Sequence, residues 1–435
     1  MKPKLGEFIR VHPSRTLQWL VCALFVLAGG RASAQTQSLT WQQVRDRFEQ
    51  SNPTLQADEF NVSESKAEEI TQFLRPNPQL TLSTDGTQLT PHNGKYVPFL
   101  GSQFVANGSY LHEREHKREL RLLAQQDATA VAESSHNDLR RNLIFTLRST
   151  FVGVLQAKAI LRLANADLAY WDQVLDISRF QFKAGGMAQI DLDRLELQRV
   201  QFESEVQTAE VNLRTAKIEL LMLLDERTPV EQFDVDGPFD YAEQIQPLDN
   251  FRQIALDNRP DLRAAMQSID EAKANYQLAV SNGSTDPTFS GWYSLNPSFN
   301  NPNDRDTVGF SVSIPLRIFD RNQGEKLRTK LDIDRNERLT AAAKAQVFND
   351  VDSAYAEWNS TLILLRPYKA KYLDLAVHVR DTVRFSYEHG GASLLDFLSA
   401  ESDYRQVQLN YLTLIGTYLT YAAQVNMAVG KDVIQ

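Results

Sequence analysis

The chain carries one thirteen-residue pattern twice, and this internal repeat constrains the fold more than any other feature. The pattern is Arg-x2-aromatic-x2-Gly-x2-small-x2-Asp, and the two copies are separated by 384 − 179 = 205 residues. The copies consist of Arg179, Phe182, Gly185, Ala188 and Asp191, and of Arg384, Tyr387, Gly390, Ser393 and Asp396. In each copy a Gly-Gly pair ends one helical pattern and a small residue can cap the next. Because this interval exceeds any solenoid unit, we expect two copies of one large half-molecule.

A second pair of matching segments supports this division of the chain. SNPTLQA occupies 51–57 and NRPDLRA occupies 258–264, at a similar interval. We therefore predict a signal peptide at 1–34, a first repeat at 35–235, an acidic linker at 236–248 and a second repeat at 249–435.

The amino terminus has the order of a secretory signal peptide. Basic residues precede a short apolar run at 17–27, and Ala32-Ser33-Ala34 gives an A-x-A cleavage site. The only cysteine, Cys22, lies inside the apolar run and lacks the small preceding residue of a lipidation site. We expect an exported protein that is not lipidated and contains no disulfide.

The charge balance is acidic. The whole chain has a formal net charge of −9, and removal of the predicted leader, with five basic residues and one acidic residue, leaves about −13. This excess argues against a nucleic-acid partner. After the leader no segment offers about 18 uninterrupted apolar residues, so a membrane role would require a β-barrel.

Two short segments in each half alternate with the period of a strand. The clearest alternates apolar side chains with glycine and serine, and its apolar members are Val308, Phe310, Val312, Ile314 and Leu316. This pattern is typical of a barrel strand that faces lipid, although a hairpin on a soluble core gives the same pattern. Four strands are too few to close a barrel, so the lipid interpretation also requires oligomerisation.

The remainder is predicted to be helical. We expect helices of roughly 70 residues from about Glu113 to Lys183 and from about Gln323 to His389, the second interrupted at Pro367. Each is followed by a return helix, 191–225 or 394–429, with the spacing of a coiled-coil seam. Two long antiparallel hairpins result, with the Gly-Gly turns at their ends.

One segment matches a zinc-protease signature. His112-Glu113-Arg114-Glu115-His116 reads H-E-x-x-H, in which two histidines one helical turn apart bind the metal. Charged residues follow it on all sides, so a solvated helix start is favoured over a metal site. We find no other catalytic constellation and predict no enzyme, no resident metal and no cofactor.

The turns also carry acidic and basic side chains. Asp191, Asp193 and Asp396 are either solvated or, if several copies surround an axis, form a ring of carboxylates that selects cations. We further expect Arg179 and Arg384 to contact the Asp191 and Asp396 side of each hairpin across the turn.

Taken together, these features resemble the TolC family of outer-membrane efflux factors. The signal peptide, the repeated order of helix, two strands and helical hairpin, and the R-x2-[FY]-x2-G-x2-[SA]-x2-D tips carry the resemblance, which covers about residues 39–431. The segment from Lys183 to Leu197 is similar to the heavy-metal branch of CzcC and CusC types.

The resemblance implies a mostly α fold with a small β part. Three chains would form a homotrimer, with four strands per chain contributing to a 12-strand transmembrane β-barrel and the hairpins forming a periplasmic α-barrel. The tips, Arg179, Phe182, Gly185, Ala188, Arg384, Tyr387, Gly390 and Ser393, would dock a periplasmic membrane-fusion adaptor. An inner-membrane RND-type pump would drive metal cations or drugs through this passive duct.

Some residues depart from the family pattern. Ser399 stands where some members have a further aspartate, and Pro315 at the strand-to-helix corner has no counterpart near Ser109.

The alternative function is a soluble periplasmic coiled-coil adaptor, which needs no barrel and is not expected to alternate Val308 and Phe310 with Gly309 and Ser311.

Overall fold

The computed structural model describes residues 38–91, 93–99, 101–242, 247–297 and 305–434. The predicted signal peptide with Cys22 and residues 243–246 of the predicted linker lie outside the described residues. The predicted repeat boundaries stay a prediction.

The first half begins with two short helices and continues through two strands into a long helical hairpin. Thr40 caps the first helix with a reciprocal capping box, and the Asn52 side chain caps the second, where Pro53 occupies the first turn. The elements are α1 Trp41–Ser51, α2 Pro53–Phe73, β1 Gln79–Asp85, β2 Gln103–Leu111, α3 Lys117–Lys183 and α4 Gln189–Leu223.

The second half has the same order of elements. They are α5 Leu248–Asn258, α6 Pro260–Ser281, β3 Thr288–Leu295, β4 Asp306–Ser313, α7 Gln323–Pro367, α8 Leu373–Glu388 and α9 Leu394–Val429. A five-residue π-helical turn, Tyr368–Tyr372, joins α7 to α8 directly after Pro367. The interruption therefore lies at the expected proline, because proline has no amide hydrogen for the helical ladder.

The four strands form one antiparallel sheet in the order β1-β2-β3-β4. The central pairing joins the two halves, since Gly108 of β2 faces Gly291 of β3. Two aromatic rings cover glycines on the neighbouring strand: Phe310 lies on Gly291 and Trp292 lies on Gly309. A Cβ on Gly309 would stand 2.3 Å from the Trp292 ring, so this position needs glycine.

The sheet register separates apolar from polar side chains. One face carries the apolar side chains Leu80, Leu82, Phe104, Phe289, Tyr293, Val308, Phe310 and Val312. The other face is rich in polar residues, among them Thr81, Ser83, Asn107, Ser290, Ser294 and Ser311. The expected strand through Ile314 and Leu316 is too long, because β4 ends at Ser313 before Pro315.

The helices pack lengthwise rather than around one compact centre. α3 lies against α2 and α6 along its first part and against α4 and α9 along its second, and α7 lies against α6 and α9. Three buried clusters stabilise this arrangement, centred on Phe48 and Phe151, on Trp358 and Tyr418, and on Trp171 near the Gly-Gly turns.

Length and composition would allow one described helix, α3, to cross a membrane. As expected, α3 contains no run of 18 uninterrupted apolar residues. In the structure α3 touches five other helices along its length, and 28% of its apolar window is buried.

Candidate functional site

Both repeated motifs form the same turn at the end of a helical hairpin. Gly185 has φ +78° and Gly390 has φ +76°, the left-handed region that glycine adopts most readily. Gly185 N–H donates to Phe182 O, and Gly186 N–H donates to Gln181 O at 2.9 Å. These two bonds define a Schellman motif, and the second tip repeats both of them.

The aromatic residue of each motif packs inward. Phe182 and Tyr387 both lie against the Trp171 cluster, and Tyr387 stacks on Phe397 with ring centroids 5.0 Å apart. Trp171 contacts Phe202 of α4 and Phe397 of α9 at centroid distances of 5.1 and 6.0 Å. The two tips of one chain are therefore held side by side by a shared core.

A second repeated set of tip residues is apolar and exposed. Phe180 and Phe385 are 74% and 63% exposed, and Ile190 and Leu395 are 58% and 72% exposed. These four residues keep the interval of 205 residues. Our sequence reasoning missed them, although the repeated Arg-Phe pair at 179–180 and 384–385 was a readable signal.

The motif arginines form no ion pair with the motif aspartates, but Arg179 contacts the Asp191 side of its hairpin as expected, whereas Arg384 pairs on its own helix. Arg179 bonds Glu196 across the hairpin at 3.0 Å. Arg384 lies 3.5 Å from Asp381 on its own helix. Asp396 is instead used by its own helix start, because its carboxylate accepts from Ser393 N–H at 3.0 Å and from Ser393 Oγ at 2.7 Å.

The three predicted aperture aspartates lie within the first five residues of the return helices. Hydrogen bonds from Ser393 hold the pKa of Asp396 below its usual range. Asp193 accepts from Gln189 Nε2 at 2.7 Å, and Asp191 lies 4.0 Å from Arg194. Within the described residues of one chain no His, Cys, Asp or Glu group is arranged to hold a metal. These aspartates can form an aperture only together with the same residues of neighbouring copies of the chain.

Small residues occupy the remaining motif positions. Ser393 caps α9 with a reciprocal capping box, whereas Ala188 at the start of α4 makes no side-chain cap. The first tip therefore lacks the capping-box hydrogen bonds of the second, and a serine cap is worth about 1 kcal/mol in other helices.

A polar seam joins the two hairpins just behind the tips. Tyr170 of α3 donates its hydroxyl to Glu401 Oε1 of α9 at 2.8 Å. Arg405 of α9 bonds Glu205 of α4 at 3.1 Å. Burial raises the pKa of Glu401, and it raises the pKa of Asp167, one turn before Tyr170, to about 6.

The apolar sheet face is uncovered in a single chain. The five predicted lipid-facing residues are exposed by these fractions: Val308 73%, Phe310 86%, Val312 56%, Ile314 54% and Leu316 79%. Ile314 and Leu316 lie beyond the strand. Our prediction overlooked Leu80 and Leu82 of β1, which are 73% and 72% exposed on the same face.

The H-E-x-x-H segment is not helical. Glu115 and His116 both have positive φ, and α3 begins only at Lys117 rather than at Glu113. His112 is therefore not one helical turn from His116. Glu113 forms an ion pair with Arg121, and His112 lies against Phe289 with ring centroids 6.4 Å apart. This geometry supports a strand-to-helix connection.

Comparison with known proteins places these features in a family. Residues 251–431 match the family described as outer membrane efflux protein. The predicted resemblance to the TolC family is therefore confirmed, and the family match lies in the second half of the chain. The chain is 22% identical over 316 residues to the cobalt-zinc-cadmium resistance protein CzcC of Cupriavidus metallidurans. The aligned residues cover 72% of this chain and 74% of that relative.

Solved structures share the fold. A CusC crystal structure superposes with a TM-score of 0.76 at 18% identity, covering 90% of this chain and 92% of the other. The Campylobacter jejuni CmeC outer membrane channel gives 0.74 at 14% identity, covering 91% and 86%. The predicted fold class is confirmed.

The function and localisation predicted for this efflux protein are also confirmed. It is an efflux channel of the outer membrane with a large periplasmic part. Its relatives are efflux channels rather than enzymes. These findings favour the channel over the soluble adaptor and the zinc protease.

Proposed function

We propose that three copies of this efflux protein form one passive exit duct. The observation that carries the proposal is a four-stranded sheet with an exposed apolar face and, among the described strands, no partner for the outer edges of β1 and β4. Unpaired edge groups are costly in lipid, where water cannot satisfy them. Three sheets joined edge to edge give twelve strands and leave no edge.

Cross-linking between β1 and β4 tests this assembly directly. Within one chain the two strands are three strand spacings apart, roughly 14 Å, which a disulfide cannot bridge. Thr81→Cys on β1 should therefore cross-link with Thr307→Cys or Ser311→Cys on β4 only between copies. We expect at least one pairing to yield a covalent trimer in denaturing gels.

Each single-cysteine variant is the control and should stay monomeric in the same gel. A detergent-solubilised mass of one chain, measured by light scattering, would contradict the trimer.

The tips are proposed as the docking surface for a periplasmic membrane-fusion adaptor that links the duct to an inner-membrane RND-type pump. Supporting this, Phe180, Phe385, Ile190 and Leu395 expose apolar area at equivalent positions of both tips. Exposed apolar patches of this kind mark protein contacts. Phe180→Ser with Phe385→Ser should abolish efflux while the yield of assembled channel is unchanged, whereas Leu197→Ser, also exposed, should have little effect.

Metal cations are proposed as the cargo. Two observations support this: the matched relative is named a cobalt-zinc-cadmium resistance protein, and three carboxylates lie within the first five residues of the return helices. In a host lacking the gene, restoring it should raise tolerance to zinc, cobalt or cadmium. Restored tolerance to organic toxicants alone would assign the duct to organic cargo.

A further inference from the structure

A cleft of about 830 Å³ lies midway along the molecule, away from both the sheet and the tips. Its walls come from α1, α3, the start of α6 and the end of α9. The lining combines apolar side chains such as Ile144 and Leu419 with six cationic ones and a single acidic one, Asp432. The volume is that of a small-molecule site.

Half of these cations have no acidic partner. Arg45 and Arg141 are paired, with Asp432 and Asp138 respectively, and Arg140 bonds Glu49. The other three are Arg148, Arg263 and Lys431. Across the described part of the chain, no carboxylate forms an ion pair with any of them.

Arg148 is the most constrained of the three. Its guanidinium lies 4.6 Å from the centre of the Trp41 ring and 5.7 Å from that of Phe151. Burial lowers the pKa of Arg148, and Asp432 opposes this only at a distance. A half-buried cation held between rings without an anion is an unfavourable arrangement that a bound anion would relieve.

The position of the cleft excludes membrane lipid as the source of that anion. Arg148 lies 31 residues after Lys117, where α3 leaves the sheet. At 1.5 Å per residue this is roughly 45 Å, which exceeds the thickness of the bilayer core. The ligand must come from the aqueous phase.

We infer that this cleft binds a soluble organic anion, a compound with an apolar body and one carboxylate or phosphate group. The anionic group accepts hydrogen bonds from Arg148 and Arg263, and Lys431 adds a third charge. The apolar body lies on Ile144 and Leu419. An acidic protein with a formal net charge of −9 gains a local anion site in this way.

Isothermal titration with naphthyl phosphate tests the assignment on the full chain in lipid nanodiscs, with empty nanodiscs as the background. We expect saturable binding of one molecule per chain. Naphthol, which lacks the anion, and inorganic phosphate, which lacks the apolar body, should both bind at least about tenfold more weakly.

Three variants locate the site. Arg148→Gln combined with Arg263→Gln should weaken naphthyl phosphate binding roughly tenfold or more, since charge-assisted hydrogen bonds are lost. Arg263→Gln alone removes an exposed side chain, so its weaker binding cannot result from unfolding. Arg162→Gln, an exposed arginine of α3 outside the cleft, should bind as the wild type does. No saturable binding, equal binding of naphthol, or equal loss in Arg162→Gln would overturn the inference.

Discussion

At the scale of single residues, the first glycine of each Gly-Gly pair has a different role in the turn from the second. Gly185 and Gly390 take positive φ, whereas Gly186 and Gly391 follow with ordinary backbone angles and donate the second bond of the turn. No atom lies within 4 Å of a Cβ built on Gly185 or Gly390, so the requirement at these positions is purely conformational.

Substitution of adjacent glycines separates conformational from steric effects. Gly185→Ala should destabilise the turn by about 1 kcal/mol, because a left-handed backbone disfavours any Cβ. Gly186→Ala should be close to neutral, since its φ is not positive and its Cβ would meet only Gln181 O at 3.5 Å. Hydrogen–deuterium exchange over residues 180–192 measures the difference. Equal exchange in the two variants would contradict the assignment.

At the scale of elements, the sheet and the long helices place their apolar side chains in different environments. The sheet exposes its apolar face and keeps serine, threonine and asparagine on the other, whereas the helices bury apolar side chains in seams between neighbours. In water the sheet face would be an aggregation surface. We propose that lipid of the outer membrane covers this face.

Adjacent residues of β4 provide a matched test of this face. Phe310→Arg should block insertion, because an arginine facing lipid near the midplane costs about 2–4 kcal/mol. Ser311→Arg adds the same charge on the opposite face and should be tolerated. Fractionation of the outer membrane, followed by heat-modifiable mobility in gels, reports insertion. Normal insertion of Phe310→Arg would mean that this side chain does not face lipid.

At the scale of the whole molecule, buried polar groups link the two hairpins. The Tyr170–Glu401 bond and the Arg405–Glu205 pair join α3 to α9 and α9 to α4, next to the Trp171 cluster. Closing or opening of the tips has to break or shift these contacts, since they lie between the elements that would move.

The raised pKa of Asp167 makes this seam pH-dependent. Burial raises that pKa from 3.8 to about 6, so between these values the native state binds more protons than the unfolded state. The contribution of Asp167 to stability therefore falls as pH rises from about 4 through about 6. At pH 7 Asp167→Asn should be more stable than the wild type by on the order of 1 kcal/mol after allowance for solvent screening.

Thermal unfolding of the detergent-solubilised channel at acidic and neutral pH measures this effect. Asp403→Asn changes an exposed aspartate of α9 and should leave the pH profile as it is in the wild type. A difference in melting temperature between the wild type and Asp167→Asn that does not grow from about pH 4 to about pH 7 would show that Asp167 is not in the buried environment described.

The sequence alone determined the repeated elements, because they depend on local chemistry. Turn glycines, the serine cap, the proline interruption and the alternation of β4 act within a few residues of chain, so each could be read directly. The resemblance to the TolC family then predicted the fold class and the channel function. The end of β4 was misjudged, because apolar alternation continues past Pro315 while backbone pairing does not.

Only the tertiary structure decided which distant residues meet. The β2–β3 pairing of the two halves, the shared Trp171 cluster, the Tyr170–Glu401 bond and the cationic cleft each join residues more than 100 positions apart. Local patterns fix which face of an element is apolar, but not which partner covers it. The pairing of Arg179 with Glu196 instead of Asp191 is a contact between two packed helices, which the spacing of the motif does not specify.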